Sequence, residues 1–160
     1  MKPVRQTRFN KGDGNCFNAC IATLLDLPIE KVDVIWNEDN WLKQLDEILH
    51  PLGYCFIEWN WDKDSQPWHW VGPCYMIASG DGPRGCKHSV IVHHYIDPDD
   101  GKHCVVNHWD PHPDEKYLKT IDYVGVLFPH WEDMPNAEHQ ARCKASPECY
   151  CSPSGSGGEA

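Results

Sequence analysis

The sequence predicts an α+β domain in which an N-terminal helix carrying a cysteine packs on an antiparallel β-sheet. Three observations carry this expectation. A helix-compatible apolar run opens at Cys16, directly after the polar loop Gly12-Asp13-Gly14-Asn15. Farther on, Trp41, Leu42, Leu45, Ile48 and Leu49 recur at three- and four-residue spacing with charges opposite, the stripe of an amphipathic helix. Beyond Gly53 the pattern changes to short runs of aromatic and branched residues divided by turn chemistry, which reads as strands.

Taken in order, residues 4–9 form an extended lead-in and residues 16–27 the first helix, stopped by Pro28. Residues 28–32 begin a shorter helix, and the amphipathic helix covers 39–50, ended by Pro51 and Gly53. Strands are expected over 54–59 and 74–78. The connection between them is rich in tryptophan, and Trp59, Trp61, Trp68 and Trp70 read as packing beneath a long loop, with the lining of a groove as the alternative. Residues 79–85 are glycine-rich but lack the lysine and spacing of a phosphate-binding loop. Residues 89–95 and 102–109 flank Asp97-Pro98-Asp99-Asp100-Gly101, which has the composition of a hairpin turn. A last strand over 120–128 ends at Pro129. One domain therefore occupies 1–134, followed by a polar, Cys/Ser/Gly-rich flexible tail at 135–160.

Composition removes several function classes. The formal charge of -10 offers no basic face to nucleic-acid phosphates or anionic membranes. No apolar run reaches the ~18 residues of a membrane span. Met1-Lys2-Pro3-Val4-Arg5-Gln6 lacks the apolar core of a secretory signal, which predicts a cytoplasmic protein whose nine cysteines are free thiols.

Cys16 stands at the junction of loop and helix. A thiol in a first helical turn faces unpaired backbone N–H groups and the positive end of the helix dipole, both of which favour thiolate. Cys20, one turn later, reads as inert packing. A hairpin turn centred near Asp99 sets His88 across from Asp110, where the carboxylate can accept an imidazole proton. Together Cys16, His88 and Asp110 supply a nucleophile, a base and an orienting acid, with no cofactor or metal required.

The Cys16 helix start, His88-Ser89-Val90-Ile91-Val92 and Asp110-Pro111 resemble the papain-like cysteine peptidases. The resemblance is to bacteriocin-leader-processing domains and related phage-encoded thiol-peptidase-like proteins in particular, and it covers roughly residues 4–128. It implies a papain-like fold, a Cys16–His88–Asp110 triad, and an upstream glutamine whose amide helps form the oxyanion hole. Gln6 fits that role, with Asn10 and Asn15 as alternatives. Asp13-Gly14-Asn15-Cys16 is also similar to the start of the ovarian-tumour-type deubiquitinase motif, although the match stops after Phe17.

The expected function is therefore hydrolysis of a peptide, isopeptide or other amide bond in a peptide or protein substrate. The same triad also serves deamidases and acyltransferases. Two other readings remain open, a catalytically inactive binding module on the same fold and a zinc site. His93, His94, His103, Cys104, His108 and His112 fall within twenty residues, and the Asp99-centred turn faces His94 toward Cys104 with His108 along the same side. In the tail, Cys143, Cys149 and Cys151 lie near His139.

Overall fold

A computed structural model describes residues 1–35, 40–62 and 72–130. The boundary expected at 134, Trp68, Trp70 and the tail cysteines lie outside the described residues. The architecture is α+β. Helices α1 (Cys16–Leu24) and α2 (Trp41–Leu49) precede strands β1 (Tyr54–Asn60), β2 (Cys74–Asp81), β3 (Lys87–Ile96), β4 (His103–Trp109) and β5 (Tyr123–Pro129). The strands form one antiparallel sheet in the order β1-β5-β2-β3-β4. The lead-in at 4–9 is not a strand.

α1 is buried on nearly every side, as its apolar composition requires, with Phe17, Ala19, Cys20, Ile21 and Ala22 all within the core. It ends at Leu24 rather than near Leu27. Asp26 adopts φ 55, and the N–H groups of Asp26 and Leu27 turn back to the carbonyls of Thr23 and Ala22, closing the helix before Pro28 is reached. α2 follows its stripe, burying Leu45 and Leu49.

Two cores sandwich the sheet. On one face Phe56, Ile77 and Ile91 meet α1 and α2. On the other, Met76, Ala78, Val90, Val92, Val124 and Val126 are covered by Tyr117, Leu118 and Ile121 together with Trp59 and Trp61. The tip of the Phe56 ring lies against Gly125 of β5. A Cβ there would come within 2.2 Å of the ring, so the position has room only for hydrogen.

The β3–β4 register differs from the expected one. Gly101, at φ 70, and bonds between Asp97 and Lys102 lengthen the connection by one position, so that His94 pairs with Val105 and Tyr95 with Cys104. The pairing then shifts again, from Val92↔Asn107 to Ile91↔Trp109, with His108 as the extra residue of a bulge. Carried on without the bulge, the ladder would set Asp110 across from Ser89. With it, Asp110 falls into phase with Val90 and His88. Residues 79–81, expected in a loop, instead complete β2 and pair with 87–89 as a second hairpin.

Candidate active site

Cys16 is the first residue of α1, and the first turn of that helix holds no acidic side chain to offset its dipole. The loop before it is tied down by Asn15, whose side-chain oxygen accepts the N–H groups of Thr7 and Arg8 at 3.0 and 2.9 Å while its amide nitrogen donates to the Thr7 hydroxyl. Asn15 is thus engaged in holding the lead-in segment. One N–H of its amide is committed to Thr7, and Asn15, unlike Gln6 and Asn10, does not line the cleft. Asn10 lines the cleft and is exposed.

The structure brings Cys16, His88 and Asp110 together. Cys16 lies against the His88 ring and Ser89, the neighbours whose hydrogen-bonding groups and charge act on its thiol. His88 Nε2 lies 2.8 Å from Asp110 Oδ1, which leaves Nδ1 as the ring nitrogen able to face sulfur. Asp110 is wholly buried, and its oxygens also accept the N–H groups of His112 and Tyr117, each at 2.8 Å. The 110–117 loop turns back through Glu115 and Tyr117, both at positive φ, to aim that last N–H inward. Arg5 fixes the same loop, donating to the carbonyls of Asp110 and His112 while its guanidinium stacks 4.1 Å over Trp109.

Electrostatics follow from this geometry. Burial pushes the Cys16 thiol up, but the hydrogen bond and charge of His88, with the Ser89 contacts, outweigh it and hold the thiol below its ordinary value. Burial likewise disfavours the His88 cation, yet hydrogen bonds to Asp110 and Cys16 raise its pKa to about 9. Burial pushes the Asp110 carboxyl up, and bonds from His88, His112 and Tyr117 bring it below the usual carboxylate value. Cys20 behaves differently. Burial first, then the charges of Cys16 and Asp110, push its thiol well above normal.

The dyad opens on a cleft of about 710 Å³. Its walls are the 6–14 loop, the start of α1, Trp41, and the sheet from Ser89 through Ser79 and Tyr123 to Glu58. Gln6 is 6 % exposed at the cleft wall. Its amide nitrogen donates one N–H to Arg8 O at 3.0 Å, and its buried Oε1 has no hydrogen-bond partner among the described residues. Its backbone N–H bonds Pro111 O, so the lead-in holds both Gln6 and the loop of Asp110.

The histidine-rich hairpin does not assemble the expected ligands. His94, fully buried, bonds Gly72 O and His103 instead of facing Cys104, while His93 and His108 lie beside Tyr75. The one-position register shift accounts for this. Among the described residues, no three His, Cys, Asp or Glu side chains converge to hold a metal ion, and every cysteine is a free thiol. Ser89, Arg5 and Glu58 were not foreseen as site residues. Ser89 had one signal, its place directly after His88.

Neither a protein-family model nor a curated protein matches this chain. Among the described residues, no helix is long and apolar enough to cross a membrane.

Proposed function

We propose that the protein is a papain-like thiol hydrolase that cleaves a peptide, isopeptide or other amide bond through Cys16, His88 and Asp110. The observation that carries this reading is the contact chain from Cys16 through His88 to Asp110, which opens on a substrate-sized cleft. Such a chain with a raised imidazole and a lowered thiol favours a thiolate–imidazolium pair at neutral pH.

In the acylation step, the Cys16 thiolate attacks the carbonyl carbon and the C=O electron pair moves onto oxygen. The N–H groups at the start of α1 stabilise that oxyanion, and Gln6 Nε2, which has a second N–H beyond the one given to Arg8 O, is the candidate additional donor. As the intermediate collapses, the C–N bond breaks, and the His88 proton passes to the leaving amine. A water molecule, deprotonated by the now neutral His88, then attacks the thioester. Release of the acid returns sulfur as thiolate and His88 as imidazolium. Asp110 stays ionised throughout, fixing the ring orientation and stabilising its charge.

The alternative of an inactive binding module has no observation in its favour, since it offers no reason for a buried carboxylate to orient an imidazole against a half-buried thiol. Labelling with acyl and peptidyl electrophiles, followed by mass mapping, tests the proposal. Selective modification of Cys16 ahead of the other cysteines is the expected result. Indiscriminate labelling, or none at Cys16, contradicts it.

A further inference from the structure

Three of the charged side chains lining the cleft, Arg84, Lys87 and Asp122, are held in ion pairs. Arg84 pairs with Asp114 at 2.7 Å, and Lys87 lies against both Asp81 and Asp122. Lys11 is exposed on the loop before Cys16. Glu58 differs from all of these. Half-buried in β1 beneath the cleft, it has no hydrogen bond or ion pair among the described residues. Burial alone raises its carboxyl above the ordinary value. A carboxylate in that setting gains from any cation brought to it, and loses solvation when the cleft fills with a neutral chain.

The sheet gives the distance from the nucleophile. Cys16 sits against Ser89 of β3, and Ser89 pairs with Ser79, which pairs with Tyr123, which pairs with Asn60. Glu58 lies two residues along β1 from Asn60 and so shares its side of the sheet. From β3 to β1 is three strand spacings, about 14 Å at ~4.8 Å each, and with the step of about 7 Å along β1 the separation is about 16 Å. Two extended peptide residues cover about 7 Å of that, and a long basic side chain meeting that of Glu58 spans the remainder. Trp41 and Tyr123 line the cleft as well, offering aromatic surface to an aliphatic stem or a cation.

We infer that Glu58 is a specificity residue that recognises a lysine or arginine two to three residues from the scissile bond, so that the substrate is a basic peptide segment. This rests on the thiol hydrolase reading for the position of the scissile bond. The surplus of 24 acidic over 14 basic residues in the chain acts in the same direction, drawing cationic peptides toward the protein at low ionic strength.

Acetyl-tripeptidyl vinyl sulfones carrying lysine, arginine, norleucine or glutamate at the second or third residue from the warhead test the inference. Each is scored by its second-order rate of labelling at Cys16. Lysine and arginine probes should react about tenfold faster than the norleucine probe, and the glutamate probe slowest. In Glu58→Gln the lysine-to-norleucine ratio should fall to about one, and in Glu58→Lys the glutamate probe should overtake lysine. A wild-type ratio near one overturns the inference, as does a preference that persists in Glu58→Gln. Because both probes meet the same sulfur, the ratio is readable even if Cys16 proves an ordinary thiol. That outcome would overturn the hydrolase reading and leave the role of Glu58 decided by the ratio.

Discussion

Asp110 Oδ1 and His88 Nε2 meet at 2.8 Å across the end of the β3–β4 ladder, and the bulge at His108 makes that contact possible. The carboxylate is closed off from solvent and receives two further backbone N–H bonds, so it is held in place before the imidazole reaches it. A base oriented this way presents its other nitrogen to Cys16.

Replacing Asp110 with Asn should lower the rate of Cys16 labelling at neutral pH by at least about tenfold while the chain still folds. The amide cannot stabilise the imidazolium, and it places an N–H against backbone donors, at a cost of roughly 2–3 kcal/mol in stability. Urea denaturation and labelling of Cys16 measure the two effects separately.

The same pair predicts a pH window. His88 has its pKa raised from 6.5 to about 9, so its contribution to stability is fully present below about pH 6.5 and is lost as pH rises through 9. Asp110 has its carboxyl lowered from 3.8, so its contribution is present above about pH 3.8 and is lost as pH falls through its folded value. The stability gap between wild type and Asp110→Asn should therefore be widest between about pH 4 and 6.5 and should narrow on both sides. A gap of constant size from pH 3 to 10 would contradict the ion pair.

Gly125→Ala should destabilise the fold by about 1–3 kcal/mol, because its methyl group would meet the Phe56 ring in a filled core. Phe56 packs edge-on against Phe17, the residue after Cys16, at 5.4 Å. A thermal melt reads the stability loss. The Cys16 alkylation rate should change along with it, whereas a substitution at exposed Ile57 should alter neither.

Much of the site was legible because its signals are local. The start of α1 at Cys16 follows from a polar loop meeting an apolar run, and the hairpin joining β3 to β4 follows from Asp97-Pro98-Asp99-Asp100-Gly101. The pairing of His88 with Asp110 was reached through a register that is off by one near the turn. The bulge at His108 adds a second residue of shift, and two shifts restore the alternation of sides. Nothing in the residue pattern announces a bulge. Insertion of β5 between β1 and β2 depends on pairings such as Ile77↔Gly125, far apart in the chain, which no periodicity encodes. Glu58 was silent for another reason. A lone carboxylate in an aromatic strand looks like a solvent-facing residue until the cleft above it is seen.

The most direct test of the central claim is the pH dependence of iodoacetamide alkylation at Cys16, resolved from the other cysteines by mass spectrometry. The thiolate–imidazolium account predicts that the rate at Cys16 levels off at a pH below the ordinary thiol pKa of about 8.5, while Cys20 stays unreactive in the folded protein. It also predicts that His88→Ala moves the Cys16 profile to higher pH. A Cys16 profile that follows ordinary thiols and is unchanged in His88→Ala would contradict it.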